Sequence, residues 1–352
     1  MRAVGGDTES DIMRVLEISR FGLFKSLQPD DTEWIRWGSS LTADEPMQPE
    51  VPTVPLLART LANIRRREFD LIVLPAIHPQ HVNDQSSYKL MMKATLRGAA
   101  RLPTVATLLH RHGLGTTPSV VLDIHDDHRL CDTTLRLFPR SMLYFKREFA
   151  FDEPVHGPMT GKIRPIPLVL PDERRIPTDS KKDIDLIFAG AICSEARAKA
   201  VDQVRHLEAL GVRVYIPDAP LSYPAFIEAL SRSWLVLSPE GKGWDCYRHY
   251  EACFAGSVPV INTPRYRRHL YLKDGRHCFY YDADRDSLAE RIVSLLADKP
   301  RLSRMAAEGR RHVLSNHTRS AVARYMLETL ATSANFIPSD SGVSTAAQKT
   351  AA

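Results

Sequence analysis

Short, nearly continuous apolar runs alternate with longer stretches of helical periodicity along the whole chain, and this alternation limits the fold more than any other feature. Runs at Arg14–Ile18, Leu71–Pro75, Val120–Ile124 and Met142–Phe145 predict strands in the first half. Runs at Ile184–Ala189, Val212–Ile216, Trp234–Ser238 and Val258–Ile261 predict strands in the second. Several lack the polar alternation of a half-exposed strand, so they predict strands covered on both faces, as in a parallel sheet. Helical segments between them make β-α units and a doubly wound α/β architecture. The segment Lys162–Asp183 carries four prolines and many charges. Proline removes a backbone donor and fixes φ, so this stretch reads as an extended crossover that splits the chain almost evenly. Two similar domains, 1–165 and 166–332, would leave a cleft between them, and the Ser/Ala/Thr-rich tail 333–352 is expected to be disordered.

Composition narrows the class. With 352 residues, 43% of them hydrophobic and 25% charged, the chain is neither a disordered polymer nor a disulfide-dense mini-protein. No run approaches the ~18–20 apolar residues that span a bilayer. The first residues, MRAVGGDTESDIM, lack the apolar centre of a secretory signal. Five scattered cysteines without a C-x-x-C pair suit a reduced, cytoplasmic setting. The net charge of +5 permits an anionic partner (a nucleotide, a phospholipid surface or nucleic acid) without choosing among them.

The densest chemical text runs from Leu235 to Tyr266. A strand ends at Ser238, a loop with Gly241 and Gly243 follows, then a helix from near Asp245 that Gly256 ends, and another strand. Glycines admit close approach of a ligand, and a helix N-terminus presents unpaired N–H groups and the positive end of its dipole. In open α/β sheets ligands bind beyond the carboxyl ends of the strands, where this loop must lie. Arg248 and Glu251 share a helix face. They could meet a diphosphate and a ribose diol, or form a plain intrahelical ion pair. Asp245 at the expected N-cap opposes an anion there. Ser194 and Gly211 bracket another helix as N-cap and C′ residue, and Ser287-Leu-Ala-Glu290 has the pattern of a capping box.

Ser238, Pro239, Gly241, Gly243, Asp245, Cys246, Arg248, Glu251, Gly256, Pro259, Val260 and Ile261 together resemble the donor-binding signature of GT-B glycosyltransferases, in particular their exostosin-like and bacterial group 1 branches. The resemblance is specific over about thirty residues and extends more loosely from Ile184 to about Leu330. It implies two Rossmann-like domains facing across a cleft, with a nucleotide-sugar donor, UDP- or GDP-linked, in the second. It implies that Glu251 binds the ribose, and that the loop with Ser238, Glu240, Gly241, Gly243 and Asp245 faces the phosphates and sugar. It also implies that Gly190 and Arg197, at the turn into the Ser194 helix, reach the diphosphate, with Lys199 nearby. One departure stands out. Retaining members carry two glutamates spaced more closely than Glu240 and Glu251, which here have ten residues between them because Lys-Gly-Trp-Asp-Cys fills the loop.

In the first half, VVLDIHDDH sets Asp123, His125, Asp126, Asp127 and His128 at a strand end. Such a cluster can be a general base for the acceptor hydroxyl, with Asp123, His125 and Asp126 as candidates, or a metal site, or a polar turn. No spacing enforces metal ligation, and no metal or other cofactor is expected, because fixed positive groups can stabilise a departing diphosphate. Lys146 and Arg147 follow in MLYFKRE, where they could meet a phosphate. Lys89, Lys93, Arg97 and Arg101 form a basic stripe at helical spacing, either a solvated face or a peripheral contact with an anionic membrane. His78, His81, His110 and His112 show no ligand spacing. The expected function is metal-independent glycosyl transfer to a glycan or lipid-linked acceptor, in the cytoplasm or at the inner membrane face. An epimerase or hydrolase of the same fold is the rival. A basic module binding nucleic acid would explain the charge but not Gly241–Glu251, so no nucleic-acid partner is expected.

Overall fold

The computed structural model describes residues 13–36, 50, 53–77, 117–152, 161–171, 180–285 and 288–333. The basic stripe from Lys89 to Arg101, the four histidines from His78 to His112, Ser287 and the tail beyond Ser333 lie outside them. The first half runs β1 (Val15–Ser19), α1 (Leu23–Leu27), β2 (Thr32–Arg36), α2 (Val54–Arg65), β3 (Leu71–Pro75), β4 (Ser119–Asp123), α3 (Asp132–Leu137), β5 (Leu143–Lys146), β6 (Phe149–Ala150) and β7 (Ile163–Pro165). The second runs β8 (Ile184–Ile187), α4 (Glu195–Arg205), β9 (Val214–Tyr215), α5 (Tyr223–Ser231), β10 (Ser233–Leu237), α6 (Tyr247–Phe254), β11 (Val258–Asn262), β12 (Tyr266–Arg267), β13 (Phe279–Tyr281), α7 (Leu288–Leu296), α8 (Lys299–Asn316) and α9 (Arg319–Ala331).

Two parallel sheets result. The first has the order β2-β1-β3-β4-β5-β7 and the second β13-β11-β10-β8-β9. All eight expected strands are present within a residue or two of their predicted ends. Their apolar runs are buried on both faces: Leu16, Ile18, Ile72 and Leu74 pack against α2, while Val15, Leu71, Val73 and Phe145 face α1 and α9. The chain is thus α/β with two doubly wound sheets, as expected.

The halves are stitched together at several places. A short antiparallel pair joins β6 to β12, with Ala150 opposite Tyr266 and Phe149 opposite Arg267. Leu170 in the crossover lies beside the α8–α9 turn, donating its N–H to the His317 carbonyl (2.8 Å) and accepting that of Arg319 (3.0 Å). Helix α9, expected within the second half, packs instead on α1, its Val322, Ala323, Met326 and Leu330 sharing a core with Leu23 and Phe24. The apolar face of α1 and β1 is thus covered by the C-terminal helix, in a core that also takes in Ile166, Leu168, Val169 and Leu170 of the crossover.

Within that core Glu17 on β1 is fully buried. Its carboxylate accepts the N–H groups of Leu23 (2.7 Å), Phe24 (2.9 Å) and Lys25 (3.2 Å) and the Ser19 hydroxyl (2.5 Å). A five-residue helix has little stability of its own, and here a carboxylate from the neighbouring strand satisfies its first donors. Burial raises the Glu17 pKa above the usual carboxylate value.

Candidate functional site

Beyond the carboxyl end of β10 the chain forms a loop from Ser238 to Cys246 before entering α6. Ser238 is fully buried under this loop, its hydroxyl 2.7 Å from His249 Nδ1. His249 Nε2 lies 3.0 Å from the Trp244 carbonyl, which can only accept. The proton therefore sits on Nε2, and Nδ1 accepts from Ser238. Burial pushes His249 down to about 4, which keeps this tautomer neutral at physiological pH. Ser238 thus supports the floor of the loop rather than touching a ligand.

Asp245 does not cap the helix. Its carboxylate turns away to accept the Leu168 N–H (2.9 Å) and the hydroxyls of Tyr250 (2.6 Å) and Tyr266 (3.0 Å), tying the loop to the crossover. Cys246 takes the N-cap position, and no side chain caps α6. The carboxylate expected to repel an anion at that end is thus drawn aside, and α6 begins without a side-chain cap, its His249 N–H donating to the Cys246 carbonyl (3.1 Å).

Two arginines converge there. Arg248 is nine-tenths buried, its guanidinium carbon 5.1 Å from the centre of the Phe188 ring. Its Nε and Nη1 are buried without a hydrogen-bond partner. Burial pulls its pKa down to about 10, with the nearby Arg197 charge adding to the effect. Arg197, also nine-tenths buried, spans two loops. It donates to the carbonyls of Ala191 (2.8 Å) and Pro239 (3.4 Å) and contacts the sulfurs of Cys193 (3.2 Å) and Cys246 (3.6 Å). Ser194 caps α4 by accepting the Arg197 N–H (3.2 Å) and donates to the Glu240 carbonyl (2.7 Å), which fixes the distance between the loops.

The glycines make room for these side chains. Gly190 holds φ +155, and a Cβ there would overlap Arg248 Nη2. A Cβ on Gly241 would come within 2.6 Å of Arg197 Nη2, and one on Gly243 within 2.5 Å of Glu148 Oε1. The space expected for a ligand at Gly241 and Gly243 is taken by protein side chains, so Gly243 serves the contact between the halves. Glu240 is held by Asn262, whose Oδ1 accepts its N–H (2.7 Å) and whose Nδ2 donates to its Oε2 (2.7 Å). Glu251 lies one turn beyond Arg248 on α6, largely buried. Lys199 points outward and pairs with Glu195 (2.8 Å).

The facing wall comes from the first half and departs most from expectation. Asp123 is fully buried, pairing with Lys146 (3.2 Å) and accepting from the Tyr144 hydroxyl (2.6 Å). A base must reach its substrate, and Asp123 cannot; it organises the turn that follows β4. Lys146 is likewise fully buried between Asp123 and the Asp127 carbonyl. Arg147 is consumed by the carbonyls of Ile124 (3.0 Å) and Asp245 (2.7 Å) and by Asp126 and Glu148. Neither is placed to meet a phosphate. Of the three expected catalytic residues, Asp126 is exposed at the tip of the turn and paired with Arg147, and His125 is half-buried beside it. Exposed His128 meets Trp244 of the loop at 6.1 Å between ring centres, and Trp244 stacks on Tyr266 at 6.0 Å. Among the described residues no group of three or more His, Cys, Asp or Glu is arranged to hold a metal, and no helix is long and apolar enough to cross a membrane.

Reasoning from the sequence missed Glu148, which lies at the centre of this contact; the one signal was its place directly after the Lys146-Arg147 pair.

Comparison with known proteins bears on the same region. The family described as the RXYLT1 C-terminal domain matches residues 214–269, the span from β9 through α6 to β12. A comparison of the sequence with curated proteins finds no match. Among solved structures, Anabaena Alr3699/HepE in complex with UDP is similar at 15% identity and a TM-score of 0.53, covering 91% of this chain and 100% of that one. Its complex with UDP-glucose gives 14%, 0.53 and the same coverage. A glycosyltransferase from Rickettsia africae is similar at 9% identity and a TM-score of 0.54, covering 90% and 96%. At these identities the likeness is one of fold, and the fold is that of the GT-B glycosyltransferases.

Proposed function

We propose that the protein is a glycosyltransferase that takes a sugar from a nucleoside-diphosphate donor seated in its second half and passes it to an acceptor held by the first. The observation that carries this reading is Arg248, a buried cation with two unpartnered nitrogens beside a second arginine at an uncapped helix N-terminus. Burying a charge without partners is costly, and a doubly anionic diphosphate supplies what is missing. Arg248 and the first N–H groups of α6 bind the phosphates, and Arg197 adds positive potential from its fixed position. As the bond from the sugar to the diphosphate breaks, negative charge grows on the leaving oxygen, where these groups are already aimed. The reaction then needs no metal. Glu251 orients the donor through the ribose diol, one helical turn from the phosphate site. HepE has been crystallised with UDP and UDP-glucose, which favours a uridine donor here.

His125 and Asp126, in the turn beside the loop, stand on the acceptor side, where a group must take the acceptor hydroxyl's proton if configuration inverts. A glycan or lipid-linked saccharide at the inner membrane face is the acceptor class proposed, and the net charge of +5 suits an anionic surface. The test is a thermal-shift panel of UDP, GDP, ADP and their sugar conjugates in EDTA. A ligand at a hundred times its dissociation constant stabilises by about 2.7 kcal/mol. A shift with one nucleotide class, lost in Glu251→Ala while inorganic pyrophosphate still binds, is the expected result. No shift with any of them would overturn the reading.

A further inference from the structure

We infer that Glu148 is a positioning residue for the donor site, through which the first half of the chain sets the loop that precedes α6, and that its charge state governs donor affinity. The inference rests on the donor reading above and adds its control. Glu148 follows β5 in the turn to β6, yet its side chain serves the other half. Oε2 accepts the Trp244 N–H at 2.9 Å and Oε1 the Asp245 N–H at 2.7 Å. Those two residues lead directly into Cys246, the N-cap of α6, so the carboxylate fixes the last step of the loop before the anion site. Arg147, bonded to Glu148 Oε1 at 3.0 Å, holds the same loop through the Asp245 carbonyl at 2.7 Å. One acid and one base from the first half thus grip successive peptide groups of the second.

Two further observations show that this contact is maintained against its local cost. Glu148 holds φ +57, a left-handed backbone that residues with side chains rarely adopt and that glycine or asparagine would adopt more readily. Gly243 lacks the Cβ that would stand 2.5 Å from Glu148 Oε1. Glu148 is 1% exposed, and burial pushes its pKa up to about 7 against the opposing pull of Arg147. The other charged and titratable groups facing it are Asp126 behind Arg147, the Asp245 carboxylate with the Tyr250 and Tyr266 hydroxyls, and His128 against Trp244. As a carboxylate Glu148 accepts both N–H groups. Protonated, it loses part of that capacity and the loop loosens, so donor affinity falls below neutral pH.

The stability linkage has the opposite sign. A carboxyl group whose folded pKa is raised contributes stability below its unfolded value of 4.5 and loses it as pH rises to about 7. Glu148→Gln therefore matches or exceeds wild-type thermal stability above pH 7 while binding UDP about ten-fold more weakly, the size of one lost charge-assisted hydrogen bond. A merely structural glutamate would lower both.

The experiment has two readouts on the full chain. In nucleotide-free protein, the fluorescence difference between wild type and Trp244→Phe is followed from pH 5.5 to 8.5. It is expected to titrate near neutrality, and to be flat when both proteins carry Glu148→Gln. UDP affinity is then measured over the same range. Wild type should weaken as pH falls, Glu148→Gln should be weak and flat, and Gly243→Ala, which displaces the carboxylate without removing it, should follow Glu148→Gln. UDP binding that is independent of pH and equal in all three overturns the positioning role and leaves the donor reading standing. A Trp244 titration lost in Glu148→Gln, with no UDP bound at any pH, overturns the donor reading and leaves the grip on the loop.

Discussion

Arg248 is the residue on which the functional reading turns, and its physics predicts an unusual mutational signature. Two of its nitrogens are buried without partners, and burial has lowered its pKa to about 10. Its charge is therefore a cost to the ligand-free fold at neutral pH, recovered only in part as pH climbs through that value. Replacing it with methionine, similar in length and apolar against Phe188, should raise the unfolding free energy of the ligand-free protein by about 1 kcal/mol in urea at pH 7. A loss of stability instead would mean that the guanidinium is satisfied within the fold. Gly190 gives an independent handle. A methyl group there would displace the Arg248 guanidinium, so Gly190→Ala should weaken UDP binding at least ten-fold, and unchanged affinity would separate Arg248 from the phosphate.

Among the elements, α1 depends on a strand residue rather than on its own sequence. Removing the Glu17 carboxylate leaves the buried N–H groups of Leu23 and Phe24 and the part-buried one of Lys25 unpaired, so Glu17→Ala should cost about 3 kcal/mol of stability without changing UDP affinity. Denaturant melts paired with nucleotide titration check this, and a loss of affinity at constant stability would contradict it. The same dependence on distant partners marks where the sequence was and was not legible. β3, β4, β10 and β11 could be read because each is a continuous apolar run, a pattern that one parallel sheet buries whatever its neighbours are. β2, Thr32–Arg36, at the sheet edge, buries Thr32, Trp34 and Ile35 around a half-exposed Glu33, neither a continuous apolar run nor a clean alternation, and β13 has only three residues. Neither rises above a loop in periodicity. The N-cap of α6 falls one residue later than expected, because Asp245, a good N-cap by type, spends its carboxylate on Leu168 and two tyrosines. Arg248 and Glu251 were legible as a helix face. Glu148, Asp123 and Lys146 were not, since their roles come from partners that only the folded chain brings near.

At the scale of the whole molecule, the β6–β12 pair, the Glu148 and Asp245 contacts and the return of α9 make the two halves share a core. That core holds neutral histidines. Burial lowers His249 to about 4 and His317 to about 3 from 6.5. A base with a depressed folded pKa binds its proton first in the unfolded chain, so stability falls as pH drops from about 6.5 towards these values. His317 alone accounts for on the order of 5 kcal/mol across that window. The thermal midpoint of wild type should therefore decline steeply below pH 6.5, and His317→Gln should decline less steeply from a lower starting point. Parallel curves for the two proteins would remove His317 as a source of acid lability.

A buried arginine with two unpartnered nitrogens at the α6 N-terminus calls for an anion, and the proposed occupant is a nucleoside diphosphate. Calorimetric titration of UDP into wild type and Arg248→Met, both in EDTA at pH 7.5, tests it most directly. Wild type should bind saturably and Arg248→Met, a variant no less stable than wild type, at least a hundred-fold more weakly. Equal affinities in the two proteins, or no binding to wild type, would contradict it.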